Sequence, residues 1–138
     1  MKYRQILFIV LAFFSFKLNA QNSSESFSKL LGKWTISKSI SRGESGKSKE
    51  MEVLCNLCSV ITFTSNQNAV VKKPSGKTES YIWRINENKI SFVNVGAEKV
   101  LDPIFDSAEF SMNFSNRENS LELELVDLEK HGSIVLSK

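Results

Sequence analysis

The sequence has few of the residues from which metal centres and nucleophilic active sites are built. Its 138 residues include one histidine, His131, and two cysteines, Cys55 and Cys58. A four-ligand zinc site would need all three together with a carboxylate. No serine or cysteine is placed to act as a nucleophile beside His131, and Glu122 and Glu124 alternate with leucines, as on the solvated face of a strand. We therefore predict no enzymatic activity, no metal and no cofactor.

The apolar run at the N-terminus is too short for a comfortable membrane span. Lys2 and Arg4 precede an apolar stretch over residues 6–16, and the small residue Ala20 follows it. A helix that spans a bilayer needs about 20 residues. This order of segments predicts a secretory signal peptide over residues 1–20, cleaved after Ala20. Residues 21–138 are then expected to form one soluble domain, secreted or periplasmic, without a stable membrane anchor.

Residues 21–138 lack a surplus of charge of either sign. The predicted signal peptide holds three of the 18 Lys and Arg residues and none of the 15 Asp and Glu residues, which leaves 15 of each. The formal net charge of +3 therefore belongs to the signal peptide. Without a basic surplus, we predict no nucleic-acid partner and no attraction to an anionic membrane surface.

Apolar and polar residues alternate along most of the chain after Gly32. In the first run, Trp34, Ile36 and Ile40 share one face of the expected strand. Short polar breaks containing Asn or Gly separate the runs and favour tight hairpins. The alternation predicts strands over residues 33–41, 59–64, 80–86, 89–95, 109–115, 120–127 and 133–137.

Three segments depart from this alternation. Residues 24–31 predict a short helical turn that ends at Gly32. Residues 41–50 are polar and rich in glycine, and predict a flexible loop. Residues 96–108 include the apolar side chains of Ile104 and Phe105, which we expect to be exposed if this loop binds a protein partner.

The expected strands, mostly joined by hairpins, describe an antiparallel meander. An open meander of that length would expose two strand edges, and closure removes both. We therefore predict an all-β fold: an up-and-down antiparallel eight-stranded barrel over residues 21–138, with a short N-terminal helical turn.

The stretch "LLGKWTIS" carries a family resemblance. Gly32 and Trp34 stand as Gly-x-Trp at the entry to the first long strand, after a short helical segment. This resembles the first signature of the lipocalins, and the chain looks most similar to compact bacterial lipocalin-like domains. The resemblance implies a barrel closed at one end by the helical segment and Trp34, with small apolar molecules as the usual ligands. It also implies a basic residue over the tryptophan, for which Lys138 is the candidate.

The two cysteines are spaced Cys-x-x-Cys between strand-like segments, with no helix following. Redox pairs commonly owe a lowered thiol pKa to a helix N-terminus or a nearby cation. In an oxidising compartment, neighbouring thiols pair. We therefore favour a local structural disulfide, Cys55–Cys58, over a redox or metal site. The sequence leaves open whether residues 50–65 form one bent strand or two.

Aromatic side chains dominate the apolar face of the predicted strands. They can form a packed core or line a pocket at the open mouth, since an eight-stranded barrel is just wide enough for either. The pocket candidates are Phe63, Tyr81, Trp83, Phe92, Phe110, Met112 and Phe114. Gly32 and Trp34 are expected to be structural.

Two functions follow from this reasoning. The first is a non-enzymatic binding protein that holds a small apolar ligand in the barrel, with the loop over residues 41–50 at its rim. The second is a solid barrel that acts as a protein-interaction or inhibitor module through the loop over residues 96–108.

Overall fold

The fold is known from a computed structural model of the chain. The structure describes residues 24–42, 48–52, 58–96, 103–105, 109–127, 129 and 132–138. Within these residues the chain forms a helix over residues 24–30, called α1, and nine strands. The strands are β1 (Gly32–Arg42), β2 (Ser48–Glu52), β3 (Val60–Phe63), β4 (Asn68–Lys72), β5 (Thr78–Asn86), β6 (Lys89–Asn94), β7 (Glu109–Arg117), β8 (Ser120–Asp127) and β9 (Ser133–Ser137).

The strands form one closed antiparallel barrel. Each strand from β3 to β8 pairs with the next in sequence, and β9 pairs back with β1. β2 and β3 lie along the same edge of β1, β2 against residues 38–42 and β3 against residues 32–35. They therefore share one position in the wall, and the barrel has eight strand positions. The predicted fold class is confirmed.

The region around the cysteines contains two separate strands in the described residues. β2 ends at Glu52 and β3 begins at Val60. Cys55 and His131 lie outside the described residues, as does the predicted signal peptide. The prediction of a loop over residues 41–50 is wrong at both ends, because residues 41–42 and 48–50 pair as a hairpin. These polar residues can pair as strands because the pairing uses backbone N–H and C=O groups, which polar and apolar residues both carry.

A β-bulge alters the face of β1. Ile36 pairs with Leu136, whereas Lys38 pairs with Val135, so Ser37 is the extra residue. Its hydroxyl donates to the Val135 carbonyl at 3.2 Å. An extra residue reverses the alternation beyond it. Ile40 consequently lines an outer concavity with Lys38, and the predicted common face with Trp34 is wrong.

The up-and-down topology sends successive connections to opposite ends of the barrel. The helix end holds α1 and the turns over residues 64–67, 87–88 and 118–119. The loop end holds the turn over residues 73–77 and the segment 103–105, which follows β6. The two ends carry different side chains, and this difference locates the candidate site.

Candidate functional site

The helix end is closed by Trp34. Its side chain is fully buried, and its Nε1–H donates to the Leu30 carbonyl at 2.7 Å, which satisfies a carbonyl at the end of α1. Lys138 Nζ lies 5.4 Å from the Trp34 ring centroid and donates to the Leu31 carbonyl at 2.5 Å. Lys138 thus lies over the tryptophan, as the resemblance implies.

Gly32 has two reasons to lack a side chain. Its φ of +109° is one that side chains rarely adopt. A Cβ atom at this position would also stand 3.2 Å from Lys138 Nζ. The Gly-x-Trp motif therefore lies where α1, β1 and Lys138 meet and close the helix end of the barrel.

The pocket candidates point into the barrel and divide between its two ends. Six of the seven are at most 5% exposed, and Phe114 is half-buried. Near the helix end, the Phe114 ring lies 6.4 Å from Trp34, and Trp83 lies 5.1 Å from Phe27 of α1. Trp83 therefore lies against α1 at the helix end, although a mouth was expected at the opposite end, and it pairs with Phe92 of β6. The buried six are Phe63, Tyr81, Trp83, Phe92, Phe110 and Met112.

Phe105 supplies a further ring to the interior at the loop end. It does not belong to a strand, yet it is 0% exposed. Its ring stacks on Phe92 at 4.1 Å between centroids with an interplanar angle of 9°. Tyr81 lies 5.5 Å away and Phe110 5.8 Å away, both nearly edge-on. The exposure of Phe105 that was expected for a protein-binding loop is therefore wrong, and Ile104 is only half-buried. The physical reason is that burial of the Phe105 ring against other aromatic rings has a more favourable free energy than its exposure to water.

A buried polar cluster holds this segment in place. Glu79 is 2% exposed, and its Oε2 accepts the Tyr81 hydroxyl at 2.5 Å and the Ile104 N–H at 3.2 Å. Its Oε1 is in ion-pair contact with Lys73 Nζ. The Phe105 N–H donates to Tyr81 Oη at 3.4 Å. Two successive backbone N–H groups thus connect the segment to acceptors on β5.

The electrostatics of the cluster favour an ionised carboxylate beside a neutral phenol. Burial raises the pKa of Glu79, but hydrogen bonds from Lys73, Tyr81 and the Ile104 N–H, with the Lys73 charge, outweigh burial and leave this pKa below its usual value. Burial and the Glu79 carboxylate raise the pKa of Tyr81 well above its usual value.

Sequence reasoning missed Glu79, although a signal was present. In the β5 sequence "TESYIWRIN", Glu79 falls on the same face as Tyr81 and Trp83. A carboxylate on an apolar face is rarely buried without a partner. The donors at Ile104 and Phe105 come from another part of the chain, so no local pattern identifies them.

Other features of the described residues offer less chemistry. Glu122 and Glu124 line an outer concavity of about 200 Å³ together with Lys38 and Arg117. Nowhere in the described ranges do three His, Cys, Asp or Glu residues come together as metal ligands would. No helix in the same residues is long and apolar enough to cross a membrane. We therefore take the loop end of the interior as the candidate site.

The chain matches no protein-family model, no curated protein and no solved structure. The relation to lipocalins thus stays a prediction from Gly32, Trp34 and the barrel.

Proposed function

We propose that the protein is an exported, non-enzymatic binding protein whose barrel accepts a small, flat, apolar molecule at the loop end. The ligand takes the place that the Phe105 ring occupies in the structure. The observation that carries this proposal is the Phe105 ring, which lies inside the barrel without belonging to its wall.

The contacts of Phe105 define what the space accepts. One face of its ring lies parallel to Phe92, and the edges of Tyr81 and Phe110 surround it. A second flat ring would make the same contacts. Burial of one such side chain is worth about 1.5–3 kcal/mol, so a one-ring ligand exchanges one burial for another. A ligand that competes well must therefore offer further contacts, and the apparent affinity depends on how often Phe105 leaves.

The test compares toluene binding to the wild type and to Phe105→Ala, with NMR titration as the readout. Removal of the ring creates a cavity, and apolar cavities of this kind bind small aromatic molecules. We expect saturable binding at one site in both proteins, at least about tenfold tighter in Phe105→Ala, because the variant needs no displacement. Phe63→Ala is the matched control, since Phe63 belongs to the wall at β3.

The two proteins distinguish a binding site from a packed core. Binding to Phe105→Ala but not to the wild type at the solubility limit of toluene would make Phe105 an ordinary core residue and remove the proposal. Loss of a buried Phe costs about 3–5 kcal/mol. If Phe105→Ala does not fold, Phe105→Leu keeps most of the volume and removes the stacked ring.

Export and the disulfide belong to the same proposal. Cys58 is half-buried just before β3, at the break between β2 and β3, where a bond to Cys55 would hold the change of strand. Export from a bacterial host should yield a chain that begins at Gln21. Thiol titration of the unfolded product should find no free thiols, and two reactive thiols would exclude the disulfide.

A second candidate function is protein binding through the outer surface of β4, β5 and β6. Its exposed members are Val70, Ile82, Val93 and Val95, between 37% and 57% exposed. Ile82 pairs with Val93, whereas Val70 pairs with Ser80, to which the Val95 N–H donates. These four residues, called the aliphatic face, are therefore contiguous. An exposed contiguous apolar surface is typical of an interaction site.

The partner expected for the aliphatic face is apolar and acidic. Lys72 follows Val70 by two residues on β4, and Arg84 follows Ile82 by two on β5, so both cations share this outer face. The dianionic apolar dye bis-ANS matches this chemistry. Its binding should weaken in Val93→Ser and in the Lys72→Glu, Arg84→Glu double variant. Unchanged binding in both would exclude this second function.

A further inference from the structure

The acceptors beside Phe105 specify more than an apolar ring. Glu79 Oε2 and Tyr81 Oη both belong to side chains at most 2% exposed, and each accepts one backbone N–H from the segment that carries Phe105. The aromatic ring and these two N–H groups therefore occupy the loop end together. Any molecule that replaces the ring meets the same acceptors.

We propose that the ligand is an aromatic amine: a flat ring with an N–H donor group at the edge that faces Glu79 and Tyr81. This inference rests on the proposed function. When the Phe105 segment leaves, Glu79 Oε2 loses the Ile104 donor and Tyr81 Oη loses the Phe105 donor. The loss of a hydrogen bond at a buried acceptor is unfavourable, so a ligand that supplies N–H groups is preferred over a plain hydrocarbon of equal size.

The remaining contacts of Glu79 narrow the ligand further. Its Oε2 keeps the Tyr81 hydroxyl at 2.5 Å, and its Oε1 keeps Lys73. Lys73 compensates the carboxylate charge, and the ligand therefore needs a donor rather than a full positive charge. An aromatic carboxylate would place an anion against Glu79 and supply no donor, so the site is expected to reject it.

The experiment measures toluene, aniline and benzoate binding to the wild type, in which the ligand replaces the Phe105 segment and its two N–H donors. The quantity of interest is the affinity ratio of aniline to toluene, which cancels the common ring contacts and the common cost of displacing the segment. We compare this ratio with that of Glu79→Leu, in which the carboxylate acceptor is absent. A hydrogen bond to a charged group predicts a ratio that is at least about tenfold higher when Glu79 is present. Glu79→Gln keeps a carbonyl acceptor and should retain most of the preference.

The outcomes separate this inference from the function on which it rests. If toluene does not bind to the wild type, the interior site itself is absent and both proposals fail. If toluene binds but the ratio is equal with and without Glu79, or benzoate binds as well as aniline, only the ligand class is wrong. If Glu79→Leu does not fold, the Phe63→Ala cavity supplies the reference ratio, because the ring of Phe63 packs against Trp83 and Phe92.

Discussion

Replacement of Glu79 tests whether the polar cluster holds the loop end closed. In Glu79→Leu, the Tyr81 hydroxyl and the Ile104 N–H lose the acceptor that they share. In Glu79→Gln, a carbonyl oxygen remains for both donors. The two variants therefore differ mainly in the presence of an acceptor, at similar side-chain volume.

The magnitude follows from the two donors. Each buried donor without an acceptor costs about 1–3 kcal/mol, and burial of the leucine side chain offsets part of that loss. Lys73 adds little, because its side chain is 22% exposed and can turn to water. We expect Glu79→Leu to lower the free energy of unfolding by about 2–4 kcal/mol, and Glu79→Gln by about 1 kcal/mol.

Urea unfolding followed by the fluorescence of Trp34 and Trp83 measures both variants. The pKa of Glu79 is lowered from 4.5, so its contribution is complete above about pH 4.5 and is lost as the pH falls through the folded value. Wild-type stability should therefore fall more steeply on acidification than that of Glu79→Gln. The reasoning is refuted if Glu79→Leu lies within about 0.5 kcal/mol of the wild type at neutral pH.

Two further predictions concern Tyr81 and the helix end. Tyr81 is the only tyrosine after Tyr3, so phenolate absorbance of residues 21–138 reports on it alone. Because the pKa of Tyr81 is raised, its contribution to stability is present below about pH 10 and is lost above it. The folded protein should therefore show no phenolate at pH 10, whereas the unfolded chain does. An ordinary tyrosine titration in the folded protein would contradict the burial of Tyr81. Gly32→Ala should lower the free energy of unfolding by about 1–3 kcal/mol through strain at positive φ and contact with Lys138, whereas Gly76→Ala, with open space around it, tests strain alone. Equal losses in the two glycine variants would remove any role for Lys138.

The turns illustrate how far local pattern reaches. The polar breaks containing Asn or Gly were predicted to form tight hairpins, in which these residues favour positive φ, and Gly76 and Asn119 adopt it. Gln67, Glu87 and Glu118 adopt positive φ as well, although side chains of this kind disfavour it. The hairpins that connect paired strands impose this geometry, and pairing is a property of the whole sheet.

The sequence by itself determined the barrel and its helix end. Alternation with period two separates a buried face from a solvated one, and the pairing of all strand edges then favours closure. Gly32, Trp34 and Lys138 were singled out through the resemblance of one short motif to the first lipocalin signature. The closed barrel of eight strand positions was predicted from this pattern, although two of its strands, β2 and β4, were not among the predicted ones.

Only the tertiary structure decided the loop end. Phe105 and Glu79 are far apart in sequence, and both are buried although one lies outside the strands and the other carries a carboxylate. Together they satisfy each other, because the Ile104 N–H supplies the donor that a buried carboxylate needs and the barrel supplies the rings on which Phe105 stacks. The bulge at Ser37 is similar, since an extra residue is visible only against the register of β9. Long-range pairing of this kind has no signature in a local pattern, because its free energy depends on groups that meet only in the folded chain.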